Sequence, residues 1–244
     1  MANFNTHFNV AAITTGLSAV VLLSAEHISL SSALGLWFLG TIGGLLPDID
    51  SDNSTSLDTL FNLFAFSAVL IVIRTINAQS FLEISLIELI ALPIIVYVLM
   101  RYLLRPIFEK VTIHRGSCHS LLFLLLIALI TTQFVWRFTP QATQQSITLA
   151  WLSGGFIFMG GLIHLLLDEI YSVDLSNISI KRSFGTALKI AEFKNKTITL
   201  FTIITIAALA YTAPPPTDAI STLSNWSKLK ILPNTTKIES LMAR

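Results

Sequence analysis

The chain has 244 residues, 53% of them hydrophobic and only 12% charged, with a mean hydropathy of +0.74. A soluble domain carries about 25% charged residues, so this composition excludes an ordinary water-soluble globule and points to a polytopic membrane protein. A formal net charge of +1 offers no global field for nucleic acid, and the lone cysteine, Cys118, excludes an internal disulfide.

No Lys or Arg precedes the first apolar run, so the basic start of a secretory signal is missing and the N-terminal stretch is expected to be retained. Seven apolar segments follow, near 10–24, 33–46, 60–77, 84–104, 119–136, 147–167 and 197–213. The last five approach the roughly 20 residues that a bilayer core requires. The first two are short and act as a hairpin, whether spanning or re-entrant. Between Ser183 and Asn195, Phe184, Leu188, Ile190 and Phe193 alternate with Lys189 and Lys194, which suggests an amphipathic helix lying at the interface. Pro214-Pro215-Pro216 stops any helix, and residues 214–244 are expected to form a peripheral, poorly ordered tail. The expectation is an all-α membrane bundle over residues 1–213, with five to seven membrane segments.

Charge assigns sides. Connections 1–9, 47–59, 105–118 and 168–196 fall on one side, with Arg101, Arg105, Lys110, Arg115, Lys181, Arg182, Lys189, Lys194 and Lys196 on or near them. The other side has Arg74 and Arg137 near helix ends and the tail cations. The positive-inside rule makes the first side cytoplasmic. His7, the Asp48–Asp52 acids, His114, His119, His164 and Asp168 all lie on or beside that face, whereas His27 falls on the opposite one.

Three carboxylates in five residues, Asp48, Asp50 and Asp52, directly follow an apolar run, and acids at a membrane boundary are costly to hold without a partner. In an extended loop all three would point the same way. In a helix Asp48 and Asp52 would share a face. Asp52 or Asp58 also fits as a helix cap. His164 and Asp168, four apart, project from one helical face as a two-ligand unit. His114 and His119, five apart, would diverge by about 140° on one helix. Gly116 permits a turn between them, Ser117 fits as an N-cap, and His119 is then expected in the first turn of the next helix. His7, placed just before an apolar segment, agrees in sidedness. Cys118 reads better as a small buried residue than as a ligand.

Imidazole and carboxylate without a cysteine cluster suit zinc, manganese or iron. The donors exceed the needs of one tetrahedral site, so a one- or two-ion hydrolytic centre is expected. The candidate ligands are His7, Asp48, Asp50, His114, His119, His164 and Asp168, with Asp50, His119 and Arg115 as candidate catalytic groups. Arg115 is suited to an anionic substrate. The other readings are a structural or regulatory metal site and a transporter, and the second of these is disfavoured by segment centres that carry almost no ionisable residues.

The set formed by an early His, Leu46-Pro47-Asp48-Ile49-Asp50, His114-Arg115-Gly116-Ser117-Cys118-His119-Ser120 and His164-Leu165-Leu166-Leu167-Asp168 resembles the membrane-bound metal-dependent hydrolases of the YdjM type. The resemblance spans about residues 4–190. It implies a bacterial inner-membrane protein, a link to the LexA-controlled DNA-damage response, and the same seven ligands. By analogy with zinc-dependent phospholipases C and nucleases, it implies a phosphoester or lipid-related substrate. The bilayer is then the main partner, with no direct nucleic-acid binding. Glu169-Ile170-Tyr171-Ser172 departs from the Thr or Ser and nearby Gly that family members often carry after this Asp.

Overall fold

A computed structural model describes residues 2–50, 55–78, 85–107, 118–139, 144–174, 179–180, 188–191, 193 and 196–229. Apart from a two-residue β pairing, Val173–Asp174 with Ser179–Ile180, the regular elements among these are helical. They are α1 (Phe4–Ser24), α2 (Leu30–Gly43), a 3-10 turn (Leu46–Asp50), α3 (Thr55–Ala78) and α4 (Leu86–Val98). The last continues as a π-helical stretch, Leu99–Leu104, and α5 (Leu121–Phe138), α6 (Gln144–Ile170), α7 (Lys196–Thr212) and α8 (Thr217–Leu223) follow.

Short polar side chains start these helices by accepting the otherwise orphaned first N–H groups. Asn3 accepts from Thr6, Ser29 from Ser32, and Ser120 from Phe123. Ser85 and Glu88 form a reciprocal capping box on α4. The cap of α5 is therefore Ser120 rather than Ser117, which lies outside the described residues, and His119 precedes the helix instead of sitting in its first turn. Helix α1 begins six residues earlier than its apolar pattern suggests, because Asn3 can cap at that point. His7 is thereby placed inside the helix.

Among the described residues, five helical stretches are long and apolar enough to cross a membrane: α1, Leu57–Arg74 of α3, Leu86–Ile107, α5 and α6. Helices α7 and α8 meet at 75° and reach that length only together, as a broken span or a re-entrant loop, while α2 has only 14 residues. The chain is a multi-pass helical bundle. Helix α6 is its axis, packed against α1, α2, α5 and α8. Helix α4 has no buried residue and leans on α3, where Arg101 (3.0 Å) and Arg105 both reach Asp58. Asp58 thus bridges two helices, which its reading as a cap did not foresee.

Lipid tails are as apolar as leucine, so close packing has to hold such helices together. Glycines supply it here. A side chain at Gly43 would overlap the Ile157 carbonyl, and one at Gly160 would overlap the Gly40 carbonyl, so α2 and α6 touch backbone to backbone. Leu45, Leu46, Ile49, Leu57 and Leu60 bury together beyond the end of α2 and tie the 3-10 turn to α3.

Two expected features differ. Leu188–Ala191 is not helical; Lys189 and Ile190 instead offer their carbonyls to the N–H groups of Leu121 and Leu122 at the start of α5. That main-chain pairing competes with the interfacial helix, most of which lies outside the described residues. The first part of the tail folds back as α8, with Ala219 buried and Trp151 Nε1 donating to the Pro214 carbonyl at 3.1 Å.

Candidate metal centre

The buried positions of α1 are His7, Ala11, Thr15, Ala19 and Leu22, a spacing that turns one narrow stripe toward the bundle. His7 is the first of them, and 1% of it is exposed. Helix α6 contributes His164 and Asp168 from its last turns, one above the other and both buried. The 3-10 turn delivers Asp48, and the residue before the α5 cap delivers His119. Four separate elements therefore bring one side chain or a pair to a common point.

His119 Nε2 lies 3.5 Å from Asp48 Oδ1 and 3.6 Å from Asp168 Oδ2. His164 Nε2 repeats both distances, 3.5 Å and 3.6 Å, to the same two oxygens. His7 Nε2 is 3.2 Å from Asp168 Oδ1. The His7 and His164 rings stack 3.6 Å apart, and His119 meets His164 edge-on at 5.6 Å.

Distances of 3.5–3.6 Å are too long for imidazole–carboxylate hydrogen bonds. They are close to the edge of a tetrahedron whose centre is a metal, since donor bonds of about 2.0–2.1 Å imply donor separations of about 3.3–3.4 Å. Two sets, His7–Asp48–His164 and His119–His164–Asp168, have all their donor atoms within 4.8 Å of one another. Among the described residues, His7 Nδ1, His164 Nε2 and Asp168 Oδ2 are buried without a hydrogen-bond partner. Buried polar atoms left this way cost about 1–3 kcal/mol each, and a shared cation removes that cost. The residues present fit a divalent ion.

The surroundings aim the donors. The Gly44 carbonyl, 2.7 Å from His164 Nδ1, can only accept, so Nδ1 carries the hydrogen and the Nε2 lone pair of the neutral ring faces the acids. A side chain at Gly44 would collide with Ala11, so glycine is what lets this carbonyl approach. On Asp168, Oδ1 accepts from the Ala2 backbone N–H at 3.0 Å, which leaves Oδ2 turned to the other rings. Burial pushes the Asp48 carboxyl up, but the His119 and His164 rings beside it more than offset this and hold it well below the usual carboxylate range.

Five of the seven expected ligands thus meet: His7, Asp48, His119, His164 and Asp168. For Asp50 only the backbone is described, at the end of the 3-10 turn. That turn replaces the extended loop in which the acids would all point one way. His114 and Arg115 lie outside the described residues, as do Asp52 and Ser117. Cys118 is buried in the core beneath the turn. His27 follows the far end of α1, away from the cluster, as its sidedness required. The sequence reading missed the Gly44 carbonyl and the Ala2 N–H. The glycine pairs Gly43-Gly44 and Gly160-Gly161 were the visible signal for the first, and nothing local marked the second.

A family model described as YdjM inner membrane protein matches residues 1–213. No curated protein and no solved structure matches the chain.

Proposed function

The chain belongs to the YdjM inner membrane protein family, and on that footing we propose that it is a membrane-bound, metal-dependent hydrolase of a phosphoester or lipid-related substrate. The observation that carries this reading is the convergence of His164 Nε2 and Asp168 Oδ2, both buried and unsatisfied, with Asp48, His119 and His7. His7, His164 and Asp168 are enclosed and would hold the ion. Asp48 and His119, with side chains 18% and 15% exposed, form the rim where water and substrate enter. A divalent ion such as zinc or manganese, alone or as a pair, would supply Lewis-acid polarisation of a phosphoryl or acyl oxygen and a lowered pKa for the attacking water.

The chain's own groups do the rest. The Gly44 carbonyl keeps the His164 lone pair directed inward, and the Ala2 N–H and His7 fix the Asp168 carboxylate. His119, at the rim, is placed to exchange a proton with the substrate side. On sequence grounds Asp50 and His114 join as further ligands, and Arg115 as the anchor for an anionic group. The basic residues beside these segments orient the site to the cytoplasm.

Elemental analysis of detergent-purified protein, followed by a phosphoester panel with and without chelator, tests the reading. A stoichiometric divalent metal and chelator-sensitive turnover support it. Protein free of metal after purification without chelator, and unable to take any up, overturns it. Tightly bound metal with no turnover of any phosphoester would favour a structural site.

A further inference from the structure

At the same end of the bundle as the metal centre, beside the unburied helix α4, two arginines share one carboxylate. Leu57 of α3 packs into the core with the 3-10 turn that carries Asp48, and Asp58 is the next residue. Its Oδ1 receives Arg101 Nη1 at 3.0 Å and also Arg105 Nη1. Residues four apart on an α-helix are rotated by about 40°. The stretch Leu99–Leu104 is π-helical instead, with the Arg105 N–H donating to the Met100 carbonyl, and its wider turn brings the two guanidinium groups closer to one line. Such turns are rare and frequently occur at functional sites.

The charges there do not balance. Two cations meet one anion, which leaves one positive charge at the edge of the bundle. Each arginine side chain is only 19% exposed, and Asp58 is the sole polar partner of Arg101 among the described residues. A guanidinium carries five N–H donors, so Arg101 has donors left to offer. Asp58 holds the group in place beforehand, which lowers the cost of ordering it on a ligand.

The surroundings select the rest of that ligand. Tyr102, Leu103, Leu104 and Ile107 are each at least 45% exposed around the pair. They belong to Leu86–Ile107, a stretch apolar enough to cross a membrane. An anion reaching the arginines therefore arrives along an aliphatic surface. A phospholipid brings both parts in one molecule, whereas a soluble anion leaves the apolar rim unmatched. Basic pockets between transmembrane helices hold anionic headgroups in this way.

We propose that Arg101 and Arg105 bind the phosphate of an anionic phospholipid whose acyl chains lie along α4. The site uses none of the metal ligands and stands or falls apart from the hydrolase reading.

The test uses intact protein in nanodiscs of equal phosphatidylglycerol and phosphatidylcholine, with native mass spectrometry of the lipid kept on release. Saturable retention of phosphatidylglycerol over phosphatidylcholine is expected. Arg101→Gln should lower that preference about tenfold, the scale of losing a hydrogen bond to a charged group, without changing bound metal. Asp58→Asn breaks the same tie between α3 and α4 but keeps both cations, so the preference should persist. Arg74→Gln, at the far end of α3, should leave it at the parent level. Calorimetric titration of detergent-solubilised protein with inorganic phosphate separates the lipid from the free anion. The proposal is overturned if neither lipid is preferred, if Asp58→Asn loses the preference as fully as Arg101→Gln, if Arg74→Gln matches Arg101→Gln, or if inorganic phosphate is the sole ligand.

Discussion

His164 Nδ1 and the Gly44 carbonyl oxygen lie 2.7 Å apart, and this one contact decides which nitrogen of the ring faces the acids. It joins residues 120 positions apart, across two helices that meet through glycine. Gly44 has an ordinary helical φ of −66°, so Gly44→Ala changes no backbone preference and acts only by pushing its new methyl against Ala11. Metal affinity should fall about 10- to 100-fold, the usual cost of disturbing a group that orients a ligand. Adding Ala11→Gly should restore most of it. Chelator-competition titrations of the single and double variants check this.

Asp168→Asn preserves the acceptor for the Ala2 N–H but removes the negative charge. Bound metal should drop sharply with the protein still inserted in the membrane. His119→Ala should also lower bound metal, and His27→Ala should leave it unchanged. Inductively coupled plasma analysis of the three purified proteins measures the outcome. Equal losses in His119→Ala and His27→Ala would break the link between sidedness and site.

Gly160 and Gly155 occupy the same helix in opposite situations. A side chain at Gly160 would overlap the Gly40 carbonyl, whereas nothing lies within 4 Å of one at Gly155. Gly160→Ala should therefore cost about 1–3 kcal/mol as overpacking against immovable backbone, and Gly155→Ala should stay within about 0.5 kcal/mol of the parent. Melting in detergent, monitored for aggregation, separates the two.

The lowered pKa of Asp48 sets an acid-side behaviour. A carboxyl depressed in the fold contributes stability that is fully present above its unfolded value, about 3.9. That contribution is lost as pH falls through the lower folded value. Between pH 7 and 5 Asp48 stays ionised, so its own protonation should release no metal over that interval. In metal-free protein Asp48→Asn should lose the Asp48 contribution at neutral pH, and the gap between variant and parent should close only in strong acid. Metal content and melting temperature across a pH series test both statements.

Much of this was legible in the chain. Apolar runs located the spans because a bilayer demands unbroken hydrophobic length, and the His164–Asp168 spacing needs only helical geometry to be read. Sidedness gathered His7, Asp48 and His119 with that pair, since each intervening span flips the face. Other features were hidden. Asn3 as a cap moved His7 into a helix, because a capping side chain can begin a helix ahead of its apolar pattern. The 3-10 turn at Asp48 depends on burial of Leu46 and Ile49 beside Leu57, a tertiary event with no local signature. The Ala2–Asp168 contact depends on the finished bundle and has no local trace.

That last contact sets a schedule for biogenesis. Ala2 and Asp168 are 166 positions apart, and at 5–20 residues per second a ribosome takes roughly 8 to 33 s to travel between them. Throughout that interval the His7 imidazole waits beside the newly made membrane stem with its eventual partner still unsynthesised. The five-residue donor cluster is thus complete only after α6 has been made and threaded into place.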